Sequence, residues 1–161
     1  MVGCKVRFVN EFLFLVLLST HILAATTWVG GVLFFMLAAV PAARAAPQAR
    51  IPLLLGRAFR PVAWVALCVL LVTGPLLLLA RGIGPSVLAH ASFWRTAFGV
   101  TLGVKLSLVA LVAMLTVWHD MVLGPRIEAG LNTHATRYVG RAIGILSIAI
   151  LLAAIVLAQG L

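Results

Sequence analysis

Charged residues are scarce in this chain, and acidic residues are almost absent. Only 9% of its 161 residues are charged, and the acidic ones are Glu11, Asp120 and Glu128. Hydrophobic residues make up 64% of the sequence, whereas a soluble domain is about half apolar and about a quarter charged. A soluble fold of this size could not provide the polar exterior that water requires. The composition therefore predicts a chain whose outer surface faces lipid.

The sequence also lacks the residue patterns of several functional classes. Its two cysteines, Cys4 and Cys68, have neither CxxC nor zinc-site spacing, so no disulfide framework is expected. There is no nucleophile–base pair, phosphate-binding loop or carboxylate dyad, which argues against hydrolase and nucleotide-dependent chemistry. The net charge is +9, but no basic stretch is interleaved with aromatic residues that could stack on bases. Nucleic acid is therefore not an expected partner, and the bilayer is.

Long apolar runs occupy most of the chain. A helix needs roughly 20 apolar residues to cross a hydrocarbon core of about 30 Å. The runs predict one domain, an all-α integral membrane protein folded as a bundle of four transmembrane helices, with boundaries near residues 12–40, 53–80, 94–122 and 138–158. Pro41 and Gly124–Pro125 are the expected ends of helices 1 and 3, and Gly74–Pro75 is the expected site of a kink.

Basic residues near the helix ends predict the orientation. Loops 1 and 3 and the adjoining helix ends carry seven of them, namely Arg44, Arg50, Arg57, Arg60, Arg126, Arg137 and Arg141. The opposite side carries four, namely Lys5, Arg7, Arg81 and Arg95. Because loops rich in Lys and Arg stay in the cytoplasm, both termini are expected outside a bacterial-type cytoplasmic membrane.

Two ionisable residues lie near the predicted midplane, His21 in helix 1 and Lys105 in helix 3. At 1.5 Å per residue, both lie about 15 Å below the outer surface. Ionisable groups are costly at this depth and usually face a bundle interior. His21 is a candidate cofactor or metal ligand, or it only bonds a neighbouring Ser or Thr. Lys105 is a candidate ligand, proton carrier or partner of an anion such as a haem propionate, or it snorkels.

Further candidates surround these two. Trp28 follows His21 by about two turns, next to small residues that leave room for close packing or for a flat cofactor. Arg57 and Arg60 are orientation signals or partners of propionates and anionic headgroups. His119 is a second candidate metal ligand, or half of an interfacial pair with Asp120. About 21 Å of helix rise separates His119 from Lys105, too far for both to bind one metal.

In order and spacing, these segments resemble the copper resistance D family of membrane proteins. The matching residues are His21 with Trp28-Val-Gly-Gly31, then Gly56-Arg-Ala-Phe59-Arg60, Thr73-Gly74, Phe98-Gly99, Gly103-Val-Lys105-Leu and His119-Asp-Met-Val-Leu-Gly-Pro-Arg126. The resemblance covers about residues 15 to 130. It implies copper handling at the cytoplasmic membrane.

The same pattern of His, Trp-x-Gly and a later Lys is similar, more distantly, to the haem-dependent protoporphyrinogen oxidase membrane family. That resemblance implies that His21 is the haem ligand and that Lys105 is an essential partner.

Three hypotheses follow. The first is a haem b protein for electron transfer or redox chemistry, and the second is a component of copper import or copper resistance. The third is a structural subunit of a larger membrane complex. A positive Lys105 beside His21 would repel Cu⁺ and attract a cofactor with carboxylates, which favours haem b.

Gly140 and Gly144 in helix 4 form a small-residue face that predicts packing with a second copy or another subunit.

Overall fold

A computed structural model of the chain describes residues 2–45, 51–129 and 134–159, and the regular secondary structure in these ranges is all helical. The α-helices are α1 Val2–Phe34, α2 Val40–Ala45, α3 Ile51–Ala80, α4 Pro85–Ala89, α5 Ala97–Trp118, α6 Gly124–Glu128 and α7 His134–Ala158. Five-residue π turns, Phe35–Ala39 and His119–Leu123, join α1 to α2 and α5 to α6, and a 3₁₀ turn spans Phe93–Arg95. The prediction of an all-α fold is confirmed.

Within the described part of the chain, four helical stretches are long and apolar enough to cross a membrane. They are Glu11–Ala42, Leu53–Ala80, Ala97–Arg126 and His134–Ala158, called here the first to fourth spans. Most of their large apolar side chains point outward, as a lipid solvent allows. The protein is therefore a multi-pass membrane protein with four candidate transmembrane helices.

The third span begins and ends at residues other than those expected. The prediction that it begins at Trp94 is wrong, because Phe93–Arg95 forms the 3₁₀ turn and Thr96 caps α5 by accepting a bond from the Gly99 N–H at 3.0 Å. The prediction that Gly124–Pro125 ends the helix is also wrong. The Gly124 N–H bonds to the His119 carbonyl across the π turn. This turn widens the backbone ahead of Pro125, so the proline ring fits and α6 continues.

The first and third spans share this construction, so the prediction that Pro41 ends helix 1 is also wrong, because α2 continues through Pro41 to Ala45. In each, a π turn is followed by one helical residue and then a proline, Pro41 or Pro125. His21 precedes Pro41 by the same number of residues as Lys105 precedes Pro125. Because consecutive spans alternate in direction, the first and third run the same way. The shared register therefore supports placing His21 and Lys105 at one depth.

The bundle is built from two helix hairpins. The first span packs along the second and the third along the fourth, and the first also contacts the fourth. Within the described ranges, the backbones of the second and third spans scarcely approach each other. The buried core joins all four spans through Ala24, Trp28, Val29, Ala66, Leu67, Val112 and Ile143. This core lies on the inner side of the His21 level, since Trp28 follows His21 by about two turns.

Two glycines permit close contacts between the spans. A Cβ atom on Gly31 would overlap the ring of Phe59 in the second span, whereas one on Gly30 would have no neighbour within 4 Å. A Cβ on Gly144 would lie 2.9 Å from the Met36 sulfur, so this glycine packs against the first span of its own chain. Gly31 thus serves the packing of Phe59 and does not leave an empty space.

The neighbouring glycines allow a matched test of this packing. We expect Gly31→Ala to lower the free energy of unfolding by about 1–3 kcal/mol, because the new methyl group would displace the Phe59 ring. Gly30→Ala should leave stability unchanged or raise it slightly, since alanine favours a helix over glycine by about 0.5–1 kcal/mol. Thermal unfolding of the purified variants in detergent measures both changes in stability. Equal melting temperatures of the two variants would contradict this packing.

Candidate functional site

His21 is held by a hydrogen bond from one span to the next. It lies in α1, half-buried, and its Nδ1 atom is 2.7 Å from Oγ1 of Thr73 in α3. Thr73 is only 6% exposed, and its hydroxyl donates to the carbonyl of Val69 at 2.7 Å. The carbon Cε1 of His21 rests against Gly74, where a Cβ would be 3.6 Å away. The imidazole ring is therefore fixed between the first two spans.

The tautomer of His21 depends on which acceptor takes the hydroxyl hydrogen of Thr73. A threonine hydroxyl has one hydrogen, and its bond to the Val69 carbonyl is compatible with an Nδ1–H of His21 that donates to Thr73. In that tautomer the other nitrogen, Nε2, keeps its lone pair. Histidines that bind metals commonly have this form, with one nitrogen donating to an oxygen and the other free to coordinate.

Lys105 lies on the inward face of α5, half-buried, about two turns before the fully buried Val112. Within the described ranges Lys105 makes no hydrogen bond and no ion pair. A buried cation without a counter-ion is costly, so this layer is suited to an anionic ligand.

A cavity of about 840 Å³ lies between the first span and the end of the second span, and neither His21 nor Lys105 is among its described lining residues. Its lining residues are Glu11, Leu13, Phe14, Leu15, Leu17, Ala80 and Arg81. Leu17 and Phe14 lie about one and two turns outward from His21 on the same face of α1. The volume is in the range of about 300–1,000 Å³ that small-molecule sites occupy. Its mostly apolar walls and charged rim suit a ligand with an apolar body and a polar end.

The other predicted cofactor-binding residues lie at different levels. Trp28 is 4% exposed and packs among the core residues on the inner side of His21. Arg57 and Arg60 are exposed near the start of α3, and about 20 Å of helix rise separates Arg60 from Thr73. Arg57 takes part in an interaction of its own. Within the described ranges a hydrogen bond joins His21 to Thr73, and the two arginines lie at another level.

A second polar cluster surrounds Asp120 at the inner end of the bundle. Trp64 donates its Nε1–H to Oδ2 of Asp120 at 2.9 Å, and Nδ1 of His119 lies 3.0 Å from Oδ1. The Nε atom of Arg60 is 3.9 Å from Oδ2. A Cβ on Gly124 would be 2.9 Å from Nη2 of Arg60, so glycine gives the arginine room there. This cluster joins the second and third spans where their backbones scarcely meet.

The pairing of His119 with Asp120 was expected from the sequence. No role in a site was predicted for Trp64, Thr73 or Arg81. These three belong to the second span or follow it, and only the rotation of that helix shows which residues they meet. Among the described residues, no group of three or more His, Cys, Asp or Glu side chains could hold a metal ion. His21 and His119, the two predicted metal ligands, lie in separate clusters.

Comparison with known proteins finds no matching family model, no matching curated protein and no matching solved structure. The function of the site must therefore be argued from its own residues.

The Asp120 cluster predicts a graded loss of stability. Asp120→Ala removes every acceptor of the cluster and leaves the Trp64 N–H unpaired, which should lower the free energy of unfolding by about 1–3 kcal/mol. Asp120→Asn keeps one side-chain oxygen as an acceptor, so its free energy of unfolding should fall by less. Melting temperatures in detergent give the ranking. If Asp120→Ala melted at the wild-type temperature, the cluster would not stabilise the bundle.

Proposed function

We propose that this protein binds haem b through Nε2 of His21 and uses it for electron transfer or redox chemistry within the membrane. The observation that carries the proposal is the hydrogen-bond chain from His21 through Thr73 to the Val69 carbonyl. In the tautomer with the proton on Nδ1, Nε2 is free to coordinate, as in histidines that bind metals. A free ligand nitrogen deep in a membrane is otherwise an expensive feature.

Three further observations fit a haem. A tetrapyrrole supplies four nitrogen ligands itself, so one histidine can hold its iron without a cluster of protein ligands. Lys105 and Arg81 supply positive charge that complements two propionates. A cavity with mostly apolar walls, which suit a porphyrin ring, begins at Leu17, about one helical turn from His21. When bound, haem supplies a one-electron ferric–ferrous couple.

The chain's own residues have separate roles in this proposal. Thr73 orients the imidazole and fixes its tautomer, so it is a positioning residue. Lys105 provides a positive charge at the same depth. Trp28 and the core around it close the inner side of the layer and keep water out. A second copy of the chain or another subunit of a membrane complex would be the redox partner.

Absorption spectra of three variants test the axial ligand. We expect the purified protein to show a Soret band that His21→Ala removes or shifts. Thr73→Val keeps the side-chain shape but loses the hydroxyl, so haem affinity should fall by about 10- to 100-fold, as for other groups that orient a ligand. His119→Ala is the control and should keep the wild-type spectrum. About 21 Å of helix rise along the third span separates His119 from Lys105, the expected level of the haem. An unchanged spectrum in His21→Ala would reject this ligand.

We also propose that both termini lie outside a bacterial-type cytoplasmic membrane. The excess of arginine near loops 1 and 3 supports this orientation. At the same ends, Arg57, Arg60, Arg126 and Arg141 are exposed.

Thiol labelling in intact cells tests the orientation. In a background with Cys4→Ala and Cys68→Ala, single cysteines replace Ala46, Ser86 or Asn132. Positions 46 and 132 lie outside the described residues, and Ser86 is exposed in α4. An impermeant reagent should label only the cysteine at position 86. Labelling at positions 46 and 132, with position 86 protected, would reverse the orientation.

A further inference from the structure

The first and third spans are structural counterparts of each other. When Pro41 is aligned with Pro125, the π turns Phe35–Ala39 and His119–Leu123 occupy the same positions. The last residue of each turn is buried, at 2% and 3% exposure. The two spans therefore repeat one construction in both backbone and burial.

The same alignment relates the second span to the fourth. It places Gly56-Arg-Ala58 on Gly140-Arg-Ala142, so three consecutive residues are identical. Further along it places Thr73 on Leu157, and both are buried, at 6% and 8% exposure. One alignment thus fits both pairs of spans and the loops within them. The chain consists of two similar helix hairpins, called here the first hairpin (first and second spans) and the second hairpin (third and fourth spans).

The contacts between the two hairpins follow the same repeat. Met36 of the first span packs against Gly144 of the fourth, where a Cβ would lie 2.9 Å from the methionine sulfur. In the alignment Asp120 is the counterpart of Met36, and Arg60 is the counterpart of Gly144. These counterparts also meet, since Nε of Arg60 is 3.9 Å from Oδ2 of Asp120. Because the first and third spans run the same way, a pseudo-two-fold axis along the membrane normal relates the hairpins.

The two equivalent contacts differ in chemistry. Met36 meets Gly144 through apolar atoms only, which shows that an apolar contact can join two spans at this position. The contact between Arg60 and Asp120 is charged, and the Trp64 N–H adds a hydrogen bond to Asp120 at 2.9 Å. Replacing a buried ion pair by apolar residues is often neutral or stabilising. The charged contact therefore calls for a reason other than stability.

Similar hairpins can pair in more than one way. In the same geometry, a hairpin can pack against the other hairpin of its chain or against its own copy from a second chain. Two first hairpins would place Met36 against Arg60 at both contacts and would leave the Trp64 N–H without its acceptor. Two second hairpins would place Asp120 against Gly144 at both contacts. Only a first hairpin paired with a second hairpin satisfies both contacts.

We propose that the contact of Arg60 and Trp64 with Asp120 selects the partner of each hairpin, so that a first hairpin assembles with a second hairpin and not with its own copy. The side chain of Asp120 is only 19% exposed, and a carboxylate within a span is costly once its partners are removed. Apolar contacts on both sides would hold the bundle together but would accept any pairing. This role in assembly does not depend on the haem site, which lies at another level.

Co-expression of two full-length chains with different affinity tags tests the selection. One chain carries Arg60→Glu and the other carries Asp120→Arg, so each chain has like charges at its own contact. Exchange of hairpins between the two chains restores opposite charges at both contacts. We expect these chains to co-purify in detergent about 10-fold more than two wild-type chains, which corresponds to about 1.4 kcal/mol.

Two controls separate partner selection from a general loss of stability. In the first, Arg141→Glu replaces Arg60→Glu, because Arg141 is an exposed arginine at the same end of the bundle. This pair of chains should co-purify about 10-fold less than the complementary pair. In the second, Arg60→Glu and Asp120→Arg are combined in one chain. That chain satisfies its own contact, so it should melt at a higher temperature than either single variant.

An apolar variant provides a second measurement that introduces no like charges. Arg60→Gly with Asp120→Met copies the contact of Met36 with Gly144 to the other side of the bundle. Each substitution alone should lower the melting temperature by about 2–12 °C, and the combination should recover part of that loss. Two differently tagged copies of the combined variant should co-purify several-fold more than two wild-type chains, because their hairpins no longer discriminate.

Either measurement can overturn the proposal. Co-purification of the complementary chains at the level of the Arg141→Glu control would show that the charged contact selects no partner. Copies of the apolar variant that exchange no more than wild-type chains would show the same. A combined apolar variant that melts below both of its single variants would show that the two contacts are not equivalent.

Discussion

A hydrocarbon environment offers no water to polar side chains, so every such group inside the spans needs a partner within the chain or in a ligand. Most of the hydroxyl groups meet this need locally. Thr26, Thr27, Thr101, Thr116 and Ser147 each donate to the carbonyl four residues earlier in the helix. His21 and Asp120 meet it by bonds from one span to another. Lys105 has no such bond in the described ranges, and neither does the buried hydroxyl of Thr136. Of these two groups only Lys105 carries a charge, and the proposed ligand site follows from that charge.

The polar residues form two layers with the apolar core between them. The outer layer contains His21, Thr73 and Lys105, and Lys105 makes no ion pair within the described ranges. The inner layer contains Asp120 with Arg60 and His119, in which opposite charges meet. The inner layer is therefore self-sufficient and suits a structural role, whereas the outer layer is suited to a ligand that supplies carboxylates. This contrast favours haem over Cu⁺, which the same cations would repel.

The sequence predicted the fold class because apolar runs of transmembrane length require only composition and length. It also placed His21 and Lys105 at one level, because helix rise depends only on residue number. It could not identify Thr73 as the partner of His21 or Trp64 as the partner of Asp120. Such pairs depend on the order of the helices around the bundle and on the rotation of each helix, and neither can be read from apolar runs in uniformly hydrophobic spans. The helical path through Pro125 was missed because it needs a π turn, which no local pattern indicated.

The central claim is that the layer around His21 holds one haem b per chain and no copper. Its most direct test is to purify the protein from cells supplied with both metals. Haem is then quantified by its pyridine complex, and iron and copper by elemental analysis. The account predicts one haem and one iron atom per chain, with copper near background. Stoichiometric copper in a protein without haem would contradict it.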